Sequence, residues 1–225
     1  MAGRMMAMRL RDVFDRLLAA YGPQGWWPGE SPFEVIVGAV LTQNTSWKNV
    51  EKAIANLRDS GVLSPQRLSA LRHEELAELI QPAGYYRLKA RRLMNLLNLL
   101  MTAYDGSLEA MFEADMSELR EQLLSVNGIG PETADSILLY AAEIPTFVVD
   151  TYTARVLKRH AWIEAEADYH TIEDHFESHL EKDAALFNEF HALLVRVGNQ
   201  HCRRQPKCEG CPLECMLPES GVQEM

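Results

Sequence analysis

Apolar residues recur at helical spacing along almost the whole chain of 225 residues. Between Leu10 and Tyr21 they follow one another at intervals of three and four, which places them on one face of an amphipathic helix. Similar stripes run from Phe33 to Leu41 and from Leu88 to Met101. The only strand-like run, Thr146 to Val149, is too short to found a sheet. The sequence therefore predicts an all-α fold of roughly ten to twelve short helices.

The composition excludes several classes of protein. Apolar residues make up 47% of the chain and charged residues 24%, which is typical of a globular protein and argues against disorder. No apolar run approaches the roughly 18–20 residues that a bilayer span requires. The basic start of the chain lacks the apolar segment of a secretory leader, so we expect no secretion and no membrane attachment.

Basic residues are concentrated in two stretches of an acidic chain. The formal net charge of −10, taken alone, points away from nucleic acid. Residues 81–104 and 196–207 nevertheless contain basic residues and no acid, namely Arg87, Lys89, Arg91 and Arg92 in the first stretch and Arg196, Arg203, Arg204 and Lys207 in the second. Such runs are usually solvated surface, but they also suit one positive face on an acidic body.

All four cysteines lie near the end of the chain, in the pattern Cys202-x5-Cys208-x2-Cys211-x3-Cys215. None is left to crosslink the rest of the fold, which excludes a secreted disulfide scaffold and favours a reduced cytosolic compartment. The spacing predicts one metal site with four thiolate ligands. Zinc is the general choice for four cysteines, but close serial spacing is more typical of iron–sulfur loops.

Two predicted helices meet at Gly128-Ile129-Gly130. Glycines permit backbone angles that other residues avoid and allow another backbone to approach closely. Pro131 opens the second helix, so the free amide groups and the positive end of its dipole face outward. This arrangement suits a phosphate group, although an ordinary αα-hairpin would share it.

Four motifs, in this order, resemble those of the helix-hairpin-helix DNA glycosylases of the endonuclease III type. They are Phe33-Glu-Val-Ile-Val-Gly-Ala-Val-Leu-Thr-Gln-Asn-Thr45, Ala83-Gly-Tyr-Tyr-Arg-Leu-Lys-Ala90, Val126-Asn-Gly-Ile-Gly-Pro-Glu-Thr-Ala134 and Val149-Asp-Thr-Tyr-Thr-Ala-Arg-Val156, and the cysteine cluster follows them. Together with the cluster they span most of the chain, roughly residues 31–215.

The resemblance implies two helical domains. The first is a six-helix barrel, residues 28–142, which includes the helix-hairpin-helix motif at 117–142. The second joins residues 1–27 to 143–225 and carries the cysteine loop 202–215. The family further implies double-stranded DNA with damaged bases as the partner, held by a monomer in the cleft between the domains. It implies no membrane contact and a cytoplasmic location, nucleoid-associated in a bacterium.

Two carboxylates define the chemistry that the resemblance implies. Asp150 stands where the family keeps its catalytic aspartate, which stabilises the oxocarbenium character of the sugar and orients a water molecule. Without the resemblance, Asp150 is interpreted as a helix N-cap. Glu132 replaces the lysine of the bifunctional members and cannot form a Schiff base, so the sequence indicates a monofunctional enzyme that uses water. Glu132 itself needs no catalytic role, because an acid in a first helical turn complements the dipole.

The three tryptophans Trp26, Trp27 and Trp47 resemble the base pocket of the 3-methyladenine glycosylase branch. Indole faces attract a cationic alkylated purine by about 0.5–2 kcal/mol per ring, although any single tryptophan could equally belong to the core. Gly38 occupies the position at which adenine-removing relatives carry a glutamate, so adenine removal is not expected.

Gln43 and Tyr85 match the residues that the family inserts into DNA when a base is flipped out. A buried amide that caps a helix and a core tyrosine are the competing interpretations. Arg87 and Lys89 would contact phosphates without reading sequence. The hairpin residues assigned to DNA binding are Gly128, Gly130 and Thr133.

The function predicted from the resemblance is a monofunctional DNA glycosylase of base excision repair for alkylated purines such as 3-methyladenine. The predicted cofactor is a [4Fe–4S] cluster on Cys202, Cys208, Cys211 and Cys215, with zinc as the alternative; the first and third intervals between these cysteines are shorter than in the family. The rival functions are an endonuclease III-type glycosylase and lyase for oxidised pyrimidines, and a non-catalytic helix-hairpin-helix DNA-binding protein.

Overall fold

A computed structural model describes residues 2–223, with side chains from residue 9 onward; Met1, Glu224 and Met225, the ends of the second predicted domain, lie outside it. The described residues form helices and turns without any strand, which confirms the all-α prediction. None of the helices in this range is long and apolar enough to cross a membrane. The described residues form two compact units, Trp27–Ile144 and the two segments that end at Trp26 and begin at Pro145, referred to below as the inner and the terminal unit.

The helices within the described range, in chain order, are α1 (Ala2–Tyr21), α2 (Pro32–Leu41), α3 (Trp47–Asp59), α4 (Pro65–Ser69), α5 (His73–Leu79), α6 (Tyr86–Tyr104), α7 (Leu108–Phe112), α8 (Met116–Ser125), α9 (Pro131–Ser136), α10 (Thr151–Arg159), α11 (Tyr169–Glu177) and α12 (Ala184–Gln200). The helices α2 to α9 belong to the inner unit, and α1 and α10 to α12 belong to the terminal unit. Short 3₁₀ turns cover Gln81–Ala83 and Glu214–Met216.

The helix α2 is the centre of the inner unit, because every residue from Phe33 to Leu41 is buried. Apart from Glu34, which pairs with Arg58 at 2.8 Å, these residues are apolar or glycine, and a helix that is apolar on nearly all sides is stable only inside a core. Its start is fixed by Ser31, whose Oγ accepts a hydrogen bond from the amide of Glu34 (3.2 Å), and by Pro32 at the first helical position. Since α3, α6 and α9 pack against it, α2 holds the turn at Gln43 in a fixed place.

The second helix of the hairpin differs from the sequence prediction. The pattern from Pro131 to Ala142 predicts one α-helix, whereas the structure has α9 followed by a π-helical segment, Ile137–Ala141. The amide of Ala142 donates to the carbonyl oxygen of Ile137 (3.1 Å), five residues back. The wider turn lets these five buried side chains pack on α2 in a register that a regular helix would not give.

The terminal unit is built around α12, which packs against α1 and α10. Its core is an aromatic cluster in which the rings of Phe147 and Phe176 stack at 3.7 Å, with Phe187 and Phe190 edge-on to Phe147. All four phenylalanines are fully buried, so this cluster is hydrophobic core.

Candidate functional site

The hairpin between α8 and α9 depends on a glycine at position 128. Gly128 has a φ of +96°, and a Cβ atom there would lie 2.3 Å from Cγ of Arg92. Gly130, the N-cap of α9, has no atom within 4 Å of the place where its Cβ would be, and it is exposed. The backbone at Gly130 is therefore open to a ligand, whereas Gly128 makes room for Arg92.

An ion pair fixes the two helices of the hairpin to each other. The guanidinium group of Arg120 on α8 donates two hydrogen bonds to the carboxylate of Asp135 on α9, at 2.7 and 2.9 Å. Asp135 is completely buried, and a two-point arginine–carboxylate contact restricts both position and orientation. The ion pair therefore fixes the hairpin on its buried side, and it needs no ligand to do so.

Gln43 is bound to the hairpin. Its Nε2 donates to the hydroxyl of Thr133 (2.9 Å) and to the carbonyl oxygen of Gly128 (3.2 Å), while its Oε1 accepts a hydrogen bond from Arg92. The structure therefore brings together three of the predicted DNA-binding residues, Gln43, Gly128 and Thr133. Arg92, from the first basic stretch, joins them through its hydrogen bond to Gln43.

Tyr85 projects from a strained turn before α6. It has a φ of 45° and is 73% exposed, and it follows Gly84, whose φ is 67°. A left-handed conformation costs a residue other than glycine about 1–2 kcal/mol. Strain of this kind together with an exposed aromatic ring is unusual for a residue of the core. Arg87 is also exposed, with its guanidinium carbon 5.7 Å from the ring centre of Tyr86.

The structure corrects the assignment of Lys89 to DNA phosphates. Lys89 is 1% exposed, and its Nζ donates to the carbonyl oxygens of Leu41 and Ala83, both at 2.8 Å. Burial, together with the charge of Arg92, lowers the pKa of Lys89 to about 8. Lys89 lies on the buried face of α6 and is unable to reach a ligand in solvent.

An aromatic cluster lies beside α2 in the inner unit. The ring of Trp27 is 5.1 Å from that of Trp47, nearly perpendicular to it, and 5.1 Å from that of Tyr140. A Cβ atom on Gly38 would lie 3.2 Å from Nε1 of Trp27, so the missing side chain lets the indole lie close to α2. Trp47 is half-buried and its Nε1 donates to Glu51 (2.9 Å).

The structure thus brings together two of the three predicted pocket tryptophans and adds Tyr140. Trp26 is the last residue of the first segment of the terminal unit and is half-buried. Sequence reasoning missed Tyr140 because it lies on the π-helical segment, where helical spacing does not predict which side faces Trp27.

Asp150 is the N-cap of α10. Its Oδ1 accepts a hydrogen bond from the amide of Thr153 (2.7 Å), and its Oδ2 lies 3.8 Å from Nε2 of His191 on α12. The side chain of Asp150 is 14% exposed, and that of His191 is 6% exposed. Burial lowers the pKa of His191, an effect that the charge of Asp150 opposes, so His191 is neutral near pH 7.

Glu132 lies in the first turn of α9 and is exposed. This position complements the positive end of the helix dipole, as expected from the sequence. The group presented at this point is a carboxylate, and it supplies no amine.

Three of the four cysteines line one pocket. Cys202, Cys208 and Cys211 surround it together with Arg159 and His160, and Nη1 of Arg159 donates to the sulfur of Cys202 (3.4 Å). Burial is the main cause that raises the pKa of Cys208 and of Cys211. Cys215 is exposed and accepts a hydrogen bond from Arg16 (3.3 Å). Across residues 9–223, no three His, Cys, Asp or Glu side chains gather around a point that could hold one metal ion.

Four cysteine thiolates can hold either a single zinc ion or an iron–sulfur cluster. One zinc ion needs all four ligands on a single centre, at about 2.3 Å for each sulfur. A cubane cluster takes its four thiolates at four separate iron atoms. Cysteines that surround a pocket without converging on one point are compatible with the second arrangement.

Comparison with known proteins identifies relatives over most of the chain. A family described as HhH-GPD superfamily base excision DNA repair protein matches residues 37–182. MJ1434 of Methanocaldococcus jannaschii, whose name describes a DNA repair glycosylase, is 46% identical over 204 residues, which are 90% of this chain and 92% of the relative. Endonuclease III of Thermotoga maritima is 31% identical over 184 residues, 81% of each chain.

Two solved structures are similar in fold over nearly their full length. The 3-methyladenine DNA glycosylase MagIII of H. pylori, bound to 1,N6-ethenoadenine, is 30% identical with a TM-score of 0.73, over 88% of this chain and 97% of that one. A non-covalent complex of endonuclease III with DNA is 25% identical with a TM-score of 0.80, over 95% of both chains.

Proposed function

The chain belongs to the HhH-GPD superfamily of base excision DNA repair proteins, and from that premise we propose that it is a monofunctional DNA glycosylase for alkylated purines. Its family makes it a DNA repair glycosylase; the choice of damaged base and the absence of lyase activity are the proposal. The observation that carries it is the pair of carboxylates, Asp150 and Glu132, without an amine at the second position.

We assign Asp150 to the chemical step. The amide of Thr153 fixes one carboxylate oxygen, and the second oxygen remains for the reaction. As the N-glycosidic bond breaks, positive charge develops on the sugar, and a fixed carboxylate in a partly buried setting stabilises it. The same oxygen can orient a water molecule for attack and receive its proton. The products are the free base and an abasic site in the DNA.

We propose that the protein lacks lyase activity because neither Glu132 nor Lys89 supplies an accessible amine. A lyase needs a neutral amine that reaches the sugar and forms a Schiff base. Glu132 is a carboxylate, and Lys89 has its Nζ buried against two carbonyl oxygens. Water is therefore the nucleophile that we propose.

Recognition of an alkylated purine is supported by the aromatic cluster of the inner unit. Trp27, Trp47 and Tyr140 have electron-rich ring faces, and such a face attracts a positively charged ring by about 0.5–2 kcal/mol. MagIII, a 3-methyladenine DNA glycosylase whose structure contains bound 1,N6-ethenoadenine, is a relative with 30% identity. Trp26, which precedes Trp27 in the sequence, stays a prediction from the sequence alone.

Double-stranded DNA is the proposed partner, bound by one copy of the chain. We propose that the hairpin binds phosphate through the open backbone at Gly130, and that Arg87 adds a second phosphate contact. Gln43 and Tyr85 would fill the space that the extruded nucleotide leaves. The rigid attachment of Gln43 to the hairpin and the exposure of Tyr85 support these roles.

A [4Fe–4S] cluster is the proposed cofactor, with Cys202, Cys208, Cys211 and Cys215 as its ligands. Bound there, the cluster would supply a structural crosslink for the loop 202–215. Arg159 and Arg16, each of which donates to a cysteine sulfur, would offset the negative charge of the thiolates. Purified protein should contain about four iron and four sulfide per chain; colourless, folded protein with one zinc would contradict the assignment.

The test is a glycosylase assay combined with borohydride trapping. Substrates are methylated duplex DNA, which reports release of 3-methyladenine, and duplexes with a single 1,N6-ethenoadenine or thymine glycol. We expect the two purines to be released faster than thymine glycol, with no covalent product. Faster release of thymine glycol, or a trapped adduct, would favour the endonuclease III-type function that the likeness to the Thermotoga maritima enzyme supports. Tight DNA binding without any base release would favour the non-catalytic alternative.

A gain of function tests the meaning of position 132. Glu132→Lys should introduce an amine at the lyase position and produce a trapped adduct on abasic DNA. Glu121→Lys, at an exposed position on α8, is the matched control and should give none. If wild type is itself trapped, another amine of the chain performs lyase chemistry and the monofunctional proposal is wrong.

A further inference from the structure

We propose that Lys89 is a positioning residue for nucleotide extrusion, because its buried ammonium group joins the turn that carries Gln43 to the turn that carries Tyr85. The proposal rests on the glycosylase function proposed above, since these are the two turns assigned to opening the DNA. Lys89 would act only through Gln43 and Tyr85 and would contact no substrate.

The contacts of Lys89 are with backbone at two helix ends. Its Nζ donates at 2.8 Å to Leu41, the last residue of α2, and at 2.8 Å to Ala83, the last residue of the 3₁₀ turn. Carbonyl groups at the end of a helix lack an amide partner within the helix and carry partial negative charge, so they attract a cation. One ammonium group therefore binds two separate helix ends.

Stability alone does not account for a lysine in this place. Removing a charge from water is costly, and an apolar side chain of similar length would fill the same volume without that cost. The charge does achieve a connection that an apolar side chain lacks, because directional hydrogen bonds fix the distance between the two carbonyl groups.

The two connected turns have the same construction. Leu41 precedes Gln43 by two residues, and Ala83 precedes Tyr85 by two residues. Each turn contains a residue other than glycine in the left-handed region, Asn44 with a φ of 54° and Tyr85 with a φ of 45°. Strained backbone of this kind persists where surrounding contacts hold it. Lys89 supplies such a contact to both turns at once.

The next turn of α6 supports the same region through a different group. Arg92, three residues after Lys89, donates to the side chain of Gln43 and lies against Gly128. Arg92 therefore orients one inserted side chain, whereas Lys89 sets the spacing between two turns. Loss of Lys89 should affect Gln43 and Tyr85 together.

This division predicts an effect that depends on base pairing. Extruding a nucleotide from a duplex costs a few kcal/mol in lost stacking and pairing, and much less from a single strand. Residues that hold the inserted side chains in place are needed to offset that cost. They are dispensable when the base is already unpaired.

The experiment compares Lys89→Met with wild type on 1,N6-ethenoadenine, placed either opposite thymine in a duplex or in a single strand. We expect single-turnover release from the duplex to fall about 30-fold or more, and release from the single strand to fall less than about threefold. Lys52→Met, at an exposed lysine on α3, should change neither. Equal losses on both substrates, or no loss on the duplex, would overturn the proposal.

A second measurement needs no base release. The fluorescence of 2-aminopurine next to an abasic-site analogue reports unstacking when the protein binds. Lys89→Met should bind this duplex, but the increase in 2-aminopurine fluorescence on binding should be about tenfold smaller than with wild type. An increase equal to that of wild type would overturn the role of Lys89. If wild type releases no base but unstacks normally, the proposed function is wrong and the role of Lys89 is still decided. If Lys89→Met does not fold, Lys89→Leu, which likewise has no hydrogen-bond donor, replaces it with the same expected ratio.

Discussion

The starts of α10 and α11 have nearly the same local structure. Each helix is capped by an aspartate with a threonine three residues later: Asp150 with Thr153, and Asp168 with Thr171. In both, Oδ1 of the aspartate accepts a hydrogen bond from the threonine amide, at 2.7 and 2.9 Å. By local sequence and cap geometry, the two sites are equivalent.

Their surroundings differ completely. Asp168 is exposed, and it accepts a further hydrogen bond from the hydroxyl of Thr171 (2.7 Å). Asp150 is half-buried beside His191, and the hydroxyl of Thr153 is buried without a hydrogen-bond partner among the described residues. The same capping motif is thus solvated in one case and enclosed in the other. The chemistry of a carboxylate is determined by what the rest of the fold places around it.

The largest difference is expected in base release. Asp150→Asn should slow release by about a thousandfold or more, because it removes the charge that stabilises the sugar cation. Asp168→Asn should stay within about twofold of wild type. Asparagine is also a good N-cap residue, so both variants should remain folded at the temperature of the assay. Single-turnover assays and thermal unfolding measure both quantities, and an equal loss of activity in the two variants would abolish the distinction.

Replacing His191 should make the surroundings of Asp150 at the start of α10 more like those of Asp168 at the start of α11. His191→Asn removes the buried ring 3.8 Å from Oδ2 and lets the carboxylate move. We expect a loss of about tenfold in single-turnover base release with unchanged DNA affinity. His175→Asn, at a half-buried histidine on α11, is the control. If His191→Asn is partly unfolded at the assay temperature, and the unfolded fraction accounts for the whole loss of activity, His191 acts on folding alone.

The two threonines should respond oppositely to loss of the hydroxyl. Thr153→Val removes a buried polar atom without a described partner and should raise the free energy of unfolding by about 1 kcal/mol. Thr171→Val loses the hydrogen bond to Asp168 and should lower it by about 0.5–1 kcal/mol. Urea denaturation distinguishes these outcomes; a destabilised Thr153→Val protein would mean that this hydroxyl has a partner in solution.

The smallest effect is the pH dependence of the α11 cap. Hydrogen bonds from the hydroxyl and then the amide of Thr171 hold the pKa of Asp168 below its ordinary value of 3.8. The pKa of Asp168 is lower in the folded than in the unfolded protein, so this cap stabilises the protein above pH 3.8. The contribution is lost as the pH falls through the pKa of the folded state. The free energy of unfolding of Asp168→Asn should therefore decrease less than that of wild type as the pH falls. Urea denaturation at about pH 5 and about pH 3 measures it, and identical profiles for wild type and variant would contradict it.

Local patterns were sufficient to predict much of the helical structure. Ser107 accepts the hydrogen bond of an N-cap from Ala110 (3.1 Å), as its position before an apolar stripe predicts. Ser46 and Ser64 also precede helices, but their side chains make no such bond. Helix starts depend on neighbouring residues, so they are readable from sequence, although the choice between side chain and water as the capping group is not.

The error at Lys89 had a different cause. A run of four basic residues was interpreted as one surface, yet Lys89 lies four residues before Leu93 and therefore on the buried face of α6. Helical spacing would have separated it from Arg87 and Arg91, both exposed. His191 and Tyr140 offered no comparable signal, since what distinguishes them is contact with Asp150 and Trp27, far away in the chain.

The π-helical segment Ile137–Ala141 requires a fixed number of residues. Each residue of an α-helix turns about 100° around the axis, so deleting one residue from the segment would restore regular winding and rotate Tyr140 away from Trp27. Exchange of one apolar side chain for another would leave the winding intact. Among proteins built on this plan, insertions and deletions should therefore be absent from these five positions and accumulate instead at the exposed residues 164–166 between α10 and α11.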